Sequence, residues 1–213
     1  MRIAIVGAGN HGRVIKDIID SIHDFDLIGF FDDDQNLYGQ NVDGIPVLGK
    51  LNLENKNKFR IESLVLGIGD NVIRASFYRQ AKELGLDLPN IIHPSSILSK
   101  NVNFGDAVVI MPGVIINTGT YIGNNVCINT GARLDHDNYI DDHAHIYPGA
   151  VLAGCVKVGK YSYIGMNSSV RDHINIGINS FVGMGSVVTK DVPNHVESYG
   201  SPVKIIKERD KLV

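Results

Sequence analysis

The sequence predicts an α/β N-terminal Rossmann-like half-domain over residues 1–90, followed by a parallel β-helix over residues 91–213. The β-helix is indicated by an apolar residue at every sixth position from Ile92 to Val188, seventeen times in succession. Such a strict six-residue period is typical of a hexapeptide-repeat β-helix. The first part is indicated by strand and helix patterns that alternate before Ile91 and do not recur after it.

The elements of the first part follow one another as in a nucleotide-binding half-domain. The predicted order is strand Ile3–Val6, helix His11–Ser21, strand Leu27–Phe31, strand Leu64–Ile68 and helix Asn71–Leu84. In the first helix we expect one apolar face made by Val14, Ile15, Ile18 and Ile19. Gly85 stops the second helix. Alternating strands and helices of this kind predict a small parallel sheet.

The second part repeats in units of six residues, and three such hexads would close one triangular coil. The fifth position of each hexad is mostly small or apolar, and we expect it to point inward with the first position. These fifth-position residues are Val108, Val114, Thr120, Val126, Ala132, Ala144, Ala150 and Val156. Seventeen hexads give between five and six coils, stacked about 4.8 Å apart.

Composition excludes several classes of protein. The 213 residues carry a net charge of −3 and no basic run, which argues against nucleic acid as a partner. No apolar stretch approaches the roughly 18 residues that a membrane span needs. The N-terminus runs directly into a strand, so we do not interpret it as a signal peptide. The only cysteines, Cys127 and Cys155, suggest free thiols and a cytoplasmic location.

A glycine-rich loop, Gly7–Gly12, stands between the first strand and the first helix with GxGxxG spacing. Such a loop aims backbone N–H groups at a phosphate, although a tight turn without a ligand has the same pattern. Asp32 and Asp33 follow about 20 residues later, as in dinucleotide-binding folds. Because no second half-domain follows, we expect one nucleotide, with its diphosphate at the loop and its ribose or base near the aspartates. His11 would contact phosphate or sugar, or simply begin the helix.

His136 and Asp137 form the candidate catalytic pair of the β-helix. They occupy the third and fourth positions of their hexad, so both are expected to face outward. A histidine beside a carboxylate is a suitable general base near neutral pH, and a solvated surface histidine is the alternative. Gly154 lies three hexads further on, one coil above His136, and is expected to leave open space over the imidazole.

Of the other histidines in the β-helix, His145 is a candidate site residue, whereas His143 and His173 are not. His145 lies nine residues after His136, half a coil away, so the two would stand about 15 Å apart on opposite sides of one prism. They could meet only across a subunit interface, which favours a homotrimer with active sites between subunits. His143 and His173 are interpreted as surface residues. The spacing does not support a zinc site, and neither cysteine is paired by sequence with a histidine.

Taken together, these motifs resemble the bacterial nucleotide-linked 4-amino-sugar N-acetyltransferases, the hexapeptide-repeat enzymes of bacillosamine, perosamine and viosamine pathways. Sialic acid O-acetyltransferases are a sister branch. The matching stretches are Gly7–Gly12, Phe31–Asp33, Gly67–Asn71, Ile128–Thr130, His136–Asp137, His145 and Gly200–Lys204. The resemblance implies that the β-helix is left-handed and that the reaction transfers an acetyl group from acetyl-CoA to a sugar C4 amine, with no metal and no acyl-enzyme.

The resemblance also implies a role for each matching residue. His136 corresponds to the general base and Asp137 to its acidic partner, where the family often has Glu. Asn129 would lie near the sugar, and the acetyl-CoA would contact His145 and Gly154. The nucleotide sugar would be held by Gly9, Asn10, His11, Asp32, Asp33 and Gly69. On charge alone, and not from the resemblance, Lys190, Lys204 or Lys207 would meet the CoA phosphates, or remain solvated surface charges.

Three other functions fit parts of the sequence. A sialic acid O-acetyltransferase would use the same chemistry on a hydroxyl group. A non-catalytic β-helix scaffold, similar to γ-carbonic anhydrases, would need three metal-binding histidines at subunit interfaces. An NAD-dependent protein with a β-helix appendage would explain the glycine-rich loop. Paired aspartates and His11 favour a nucleotide-linked amine over free sialic acid, because the sister branch often lacks them.

Overall fold

In the computed structural model, which describes residues 1–211, the chain divides into two compact units, one of residues Met1–Pro94 and a second that begins at Ser95. The longest helix in residues 1–211 has 13 residues, and none of the helices there is long and apolar enough to cross a bilayer.

The first unit contains a small parallel sheet, as predicted, and its three strands have the order β2-β1-β5. Its elements are β1 (Arg2–Val6), α1 (Asn10–Asp20), β2 (Asp26–Phe31), a 3₁₀ turn (Gln35–Leu37), β3 (Asn41–Val42), β4 (Ile45–Pro46), α2 (Leu53–Phe59), β5 (Ser63–Leu66), α3 (Asn71–Glu83) and β6 (Ile91–Ile92). The β3–β4 hairpin and α2 were not predicted. None of the seven residues of α2 is buried, so the helix has no apolar stripe to reveal it.

The apolar face of α1 is narrower than the sequence suggested. Ile15, Ile18 and Ile19 are buried, as expected, but Val14 is 41% exposed and lies outside the core. The prediction for Val14 was wrong because successive residues of a helix point about 100° apart. Ile15 lies between Ile18 and Ile19 around the helix axis, and Val14 lies beyond Ile18, outside the buried stripe.

Glycines allow α1 to pack closely against the strands. A Cβ atom at Gly12 would collide with the carbonyl oxygen of Gly7, and one at Gly67 would lie 2.7 Å from the Cα atom of Gly12. Gly7 has a φ of +98°, a conformation that L side chains rarely adopt. By contrast, nothing lies within 4 Å of a Cβ atom built at Gly69. Part of the glycine-rich pattern is therefore required by packing alone.

The second unit is a parallel β-helix of two-residue strands. They are β7 (Ile97–Leu98), β8 (Asn103–Phe104), β9 (Val109–Ile110), β10 (Ile115–Ile116), β11 (Tyr121–Ile122), β12 (Cys127–Ile128), β13 (Arg133–Leu134), β14 (Tyr139–Ile140), β15 (His145–Ile146), β16 (Val151–Leu152), β17 (Lys157–Val158), β18 (Tyr163–Ile164), β19 (Ser169–Val170), β20 (Asn175–Ile176), β21 (Phe181–Val182) and β22 (Val187–Val188). A hairpin of β23 (Val196–Tyr199) and β24 (Lys204–Glu208) follows.

Every third strand pairs with the next in parallel, which gives the helix three faces. One face has the order β22-β19-β16-β13-β10-β7, the second β20-β17-β14-β11-β8, and the third contains β23-β21-β18-β15-β12-β9. Paired residues are three hexads apart, as in Ile115↔Arg133 and Cys127↔His145. The predicted coil of three hexads is confirmed. First and fifth hexad positions fill the interior, with Ile122, Ala132 and Ile146 completely buried.

The corners of the coils use left-handed backbone conformations in vertical columns. One column contains Ala107, Asn125, His143, Tyr161 and Asn179, and a second contains Gly119, Asp137, Cys155 and His173. The third is made mainly of glycines: Gly113, Gly131, Gly149, Asn167 and Gly185. Because each member lies one full coil from the next, side chains in one column stack directly above one another.

The packing of α1 leads to a stability test at two glycines. We expect Gly12→Ala to lower the free energy of unfolding of the first unit by about 1–3 kcal/mol, the usual cost of overpacking. Gly69→Ala is the matched control and should change it by less than about 0.5 kcal/mol, because its new methyl group meets open space. Thermal denaturation followed by circular dichroism at the helical band reports on this unit, since α1, α2 and α3 all belong to it. Equal melting temperatures for the two variants would contradict this account.

Candidate active site

His136 and Asp137 lie together at a corner of the β-helix, directly after β13. His136 Nδ1 is 2.9 Å from Asp137 Oδ2, and the two side chains are 51% and 61% exposed. Asp137 has a φ of +56°. In an extended strand, neighbouring side chains point to opposite faces. The left-handed corner instead lets these two consecutive residues form a hydrogen bond.

Buried polar side chains inside the prism hold this corner in place. Asn138 donates from Nδ2 to the Asp135 carbonyl oxygen (2.6 Å) and accepts from the Val156 N–H (2.9 Å) of the next coil. Thr120 Oγ1 donates to the same Asp135 oxygen (3.1 Å). The sequence analysis missed Asn138. The available signal was an asparagine at a fifth hexad position, where most coils have a small or apolar residue.

Electrostatics favour the protonated form of His136. The hydrogen bond to Asp137 raises the pKa of His136 most, and the nearby negative charge of Asp135 adds to this, while partial desolvation acts in the opposite direction. In the neutral form, with Nδ1 donating to the carboxylate, Nε2 carries the free lone pair. This arrangement has the geometry of a histidine general base with an orienting carboxylate.

Gly154 lies above His136, as predicted, but the space between them is not open. A Cβ atom at Gly154 would lie 2.5 Å from Cε1 and 2.6 Å from Nε2 of His136, so the imidazole itself occupies that space. The next residue, Cys155, also contacts His136. Cys155 donates its N–H to the His136 carbonyl oxygen (3.0 Å) and follows Asp137 in the same corner column. The sequence did not pair Cys155 with a histidine, and the structure places it beside His136 of the coil below.

His145 does not have the exposure that the hexad position suggested. It lies on β15, on a different face from His136, and is only 2% exposed. Its ring makes an edge contact with Tyr147 at 4.4 Å between centroids, and Nε2 is 3.4 Å from Asn129 Nδ2. The side chain thus points away from the prism but is covered by aromatic neighbours. Asn129 and His145, two of the predicted site residues, are brought together.

The two histidines interpreted as surface residues, His143 and His173, differ in exposure. The prediction of a surface position was wrong for His143, which is 6% exposed, lies 2.8 Å from Asn125 through Nδ1 and stacks on Tyr161 at 4.9 Å. Stacking within the corner column buries it. His173 is exposed, as predicted, and its Nε2 atom lies 3.8 Å from Asp172.

In the first unit, Asp32 holds the glycine-rich loop. Its Oδ2 accepts the Ala8 N–H at 2.8 Å, and its Oδ1 accepts the Asp34 N–H at 2.9 Å. Asp32 therefore has a structural role that the sequence did not indicate. Asp33 is exposed. The two aspartates line a cavity of about 190 Å³ with Val6, Gly7, Phe31, Ile68 and Phe77.

The remaining predicted loop residues surround the start of α1 and of α3. Gly9 is the N-cap of α1, Asn10 is its first residue and His11 follows. Burial, together with the positive charge of Arg74, lowers the pKa of His11 to about 4, so this imidazole is neutral near pH 7. Arg74 is itself buried and donates to the Ile68 carbonyl oxygen (3.0 Å), next to Gly69.

The predicted CoA-binding lysines all lie on the surface. Lys190 and Lys204 are exposed. Lys207 is engaged with Glu197 at 3.3 Å across the terminal hairpin. Nearby, the Arg209 guanidinium lies 5.6 Å from the ring centre of Tyr163, a cation–π contact on the face that contains His145.

Comparison with known proteins identifies the first unit and the enzyme family. Residues 2–81 match the PglD N-terminal domain. The UDP-N-acetylbacillosamine N-acetyltransferase of Bacillus subtilis strain 168 is 36% identical over 112 residues, which are 51% of this chain and 50% of that enzyme. The matched segment thus spans half the length of this curated relative.

Solved structures cover nearly the whole chain. PerB from Caulobacter crescentus, in complex with CoA and GDP-perosamine, is 34% identical with a TM-score of 0.91, over 97% of this chain and 98% of PerB. The acetyltransferase domain of PglB from Neisseria gonorrhoeae FA1090, in complex with acetyl coenzyme A, is 30% identical with a TM-score of 0.88, over 96% and 98%. The chain belongs to the hexapeptide-repeat family of acetyl-CoA-dependent, nucleotide-linked amino-sugar N-acetyltransferases.

Proposed function

We propose that this enzyme transfers the acetyl group of acetyl-CoA to the C4 amine of a nucleotide-linked 4-amino-4,6-dideoxy sugar. The observation that carries the proposal is the exposed His136–Asp137 pair, joined at 2.9 Å on the β-helix of a member of this family. PerB, which was solved with CoA and GDP-perosamine, supports the same pair of substrate classes.

The reaction needs a base because a sugar amine is largely protonated near neutral pH and must lose a proton to attack a thioester. In the proposed mechanism, Nε2 of His136 accepts that proton while the amine attacks the acetyl carbonyl carbon directly. The Asp137 carboxylate stabilises the resulting imidazolium through Nδ1–H. Collapse of the tetrahedral intermediate breaks the C–S bond, the second proton of the nitrogen passes to the departing CoA thiolate, and His136 returns its proton to solvent, so no acyl-enzyme forms.

Stabilisation of the oxyanion and positioning of the substrates supply the rest of the rate enhancement. The Cys155 N–H is already bonded to the His136 carbonyl oxygen, so we assign the oxyanion to the Gly154 N–H. His145 and Asn129 would contact the acetyl group and the sugar, as the family resemblance implies. Lys190 and Lys204 would attract the phosphates of CoA.

The nucleotide would bind at the glycine-rich loop of the first unit. Asp32 already accepts two backbone N–H groups there, which leaves the exposed Asp33 better suited to contact the ribose or base. His11 is neutral and would donate a hydrogen bond rather than a charge to the diphosphate.

We further propose a homotrimer in the cytoplasm. His136 and His145 lie on different faces of one prism, so a shared active site would need His145 from a second subunit. Both cysteines are free thiols, which fits a reducing compartment.

A substrate panel tests the proposed function. Acetyl transfer, followed by release of the CoA thiol, should occur with one or more 4-amino-4,6-dideoxy sugars linked to UDP, GDP or dTDP. The sugar nucleotide that is acetylated would identify the nucleobase that the enzyme prefers. Turnover of free sialic acid alone would instead assign the chain to O-acetylation and contradict the proposal. Light scattering of the same preparation reports the number of subunits.

Replacement of the proposed general base, His136, should greatly lower the catalytic rate. We expect His136→Ala to lower kcat by roughly two to four orders of magnitude, the usual contribution of a general base. The matched control is His173→Ala, at an exposed corner two coils above, which should leave kcat and both KM values unchanged. Turnover of His136→Ala within a few-fold of wild type would exclude His136 as the base.

The pH profile tests the partner carboxylate. The base works in its neutral form, so kcat/KM rises with pH through the pKa of His136. Asp137→Asn removes the main cause of the raised pKa. The acidic limb should therefore move to lower pH, while the plateau of kcat falls because the imidazolium loses its stabilising charge. Asp172→Asn, beside His173, is the control. An acidic limb that stays in place or moves to higher pH would contradict the assigned role.

A further inference from the structure

We propose that His136, Asp137 and Cys155 form a binding site for a soft divalent cation such as Zn²⁺, and that the bound cation inhibits the enzyme by occupying the catalytic base. The cation would be an inhibitor and not a cofactor of acetyl transfer.

The proposed site lies on two consecutive coils at one corner. One potential ligand atom from each of the three residues lies within 4.8 Å of the other two. Cys155 is one coil after Asp137 in the same column of left-handed corners, which brings the two side chains to the same corner. The missing side chain of Gly154 lets the His136 ring lie against the upper coil, next to the thiol.

The three donors are of the kinds that Zn²⁺ binds best. Imidazole nitrogen, carboxylate oxygen and thiolate sulfur are its usual protein ligands, and three of them with one open position are typical of accessible zinc sites. A thiolate favours Zn²⁺, Cd²⁺ or Co²⁺ over the hard cations Mg²⁺ and Ca²⁺. Binding would release the Cys155 proton to solvent.

The geometry needs only a small adjustment. Ligands of one tetrahedral Zn²⁺ stand roughly 3.5 Å apart, given metal–ligand distances of about 2.0–2.3 Å. His136 and Asp137 are each more than half exposed, so rotation of their side chains can close the remaining gap without moving the backbone. The coil itself is held by its ladder of hydrogen bonds, including Cys155 N–H to the His136 carbonyl oxygen.

Inhibition follows from competition for an electron pair, and this part rests on the proposed function. A histidine that donates its lone pair to a metal cannot accept a proton from the amine. The cation would also place positive charge where the ammonium group of the substrate must bind. Zn²⁺ should therefore inhibit, and a chelator should restore activity.

Metal binding is tested first without any substrate. Co²⁺ is titrated into the intact, tag-free protein, and thiolate-to-cobalt charge transfer is followed in the near ultraviolet; Zn²⁺ then displaces Co²⁺. We expect one ion per chain and loss of the band in Cys155→Ala. Removal of even an outer-shell partner typically weakens metal binding about 10–100-fold. Loss of the thiolate should therefore raise the Kd for Zn²⁺ at least tenfold.

Two controls make this result specific. His173→Asn, in the same column but outside the trio, should bind Co²⁺ like the wild type. Cys127 is retained in every variant and is buried, so a band that persists in Cys155→Ala would come from other groups and would overturn the proposal. Absence of a thiolate band in the wild type would overturn it as well.

The activity measurement separates this proposal from the proposed function. Zn²⁺ should inhibit acetyl transfer by the wild type and by His173→Asn, with inhibition weakened at least tenfold in Cys155→Ala. If Zn²⁺ binds through Cys155 but activity is unaffected, the inhibitory role fails, while the role of His136 as base is decided separately by the turnover of His136→Ala. If activity is absent from all substrate mixtures while Co²⁺ still binds, the proposed function fails and the metal site stands.

Discussion

The parallel register of three hexads is the constraint on which the rest of the β-helix depends. Each backbone N–H in a strand reaches the carbonyl group of a residue one coil away, as in Cys127 N–H to the Ala144 carbonyl oxygen. This ladder leaves no freedom in how the coils are aligned. Every inward position is therefore stacked on inward positions, and every corner on corners. A one-residue slip would expose the apolar first position of all the hexads beyond it.

The same register determines which chemical groups can meet. A side chain at a corner has its nearest long-range neighbours at the same corner of the coils before and after it. Asp137 therefore lies between Gly119 and Cys155, and its carboxylate occupies the space that a Gly119 side chain would fill. The imidazole of His136 in turn occupies the space that a Gly154 side chain would fill. The glycines on either side of the pair are as necessary to its geometry as the pair itself.

Much of this arrangement follows from the sequence, because a period of six is visible without any structure. The coil, the inward positions and the outward position of His136 were all predicted in this way. Burial of outward residues was not. His145 and His143 are covered by the rings of Tyr147 and Tyr161, and the side-chain directions of these neighbours, which the period does not give, decide whether the rings lie over the histidines. The contact between Cys155 and His136 could have been predicted from the same period, since Cys155 is three hexads after Asp137. The structural role of Asp32 depends on a loop conformation that has no periodic signal.

Asp137 illustrates why a strained corner is retained at the candidate site. A non-glycine residue with φ near +56° costs about 1 kcal/mol relative to glycine, although aspartate tolerates this region better than most residues. Glycine stands at the equivalent corner one coil below, at position 119. The fold would therefore accept glycine here, and stability alone would favour it. What glycine cannot supply is a carboxylate that turns back to the imidazole of the preceding residue. Strain at this corner is thus offset by the hydrogen bond to His136 and by the function that we assign to the pair.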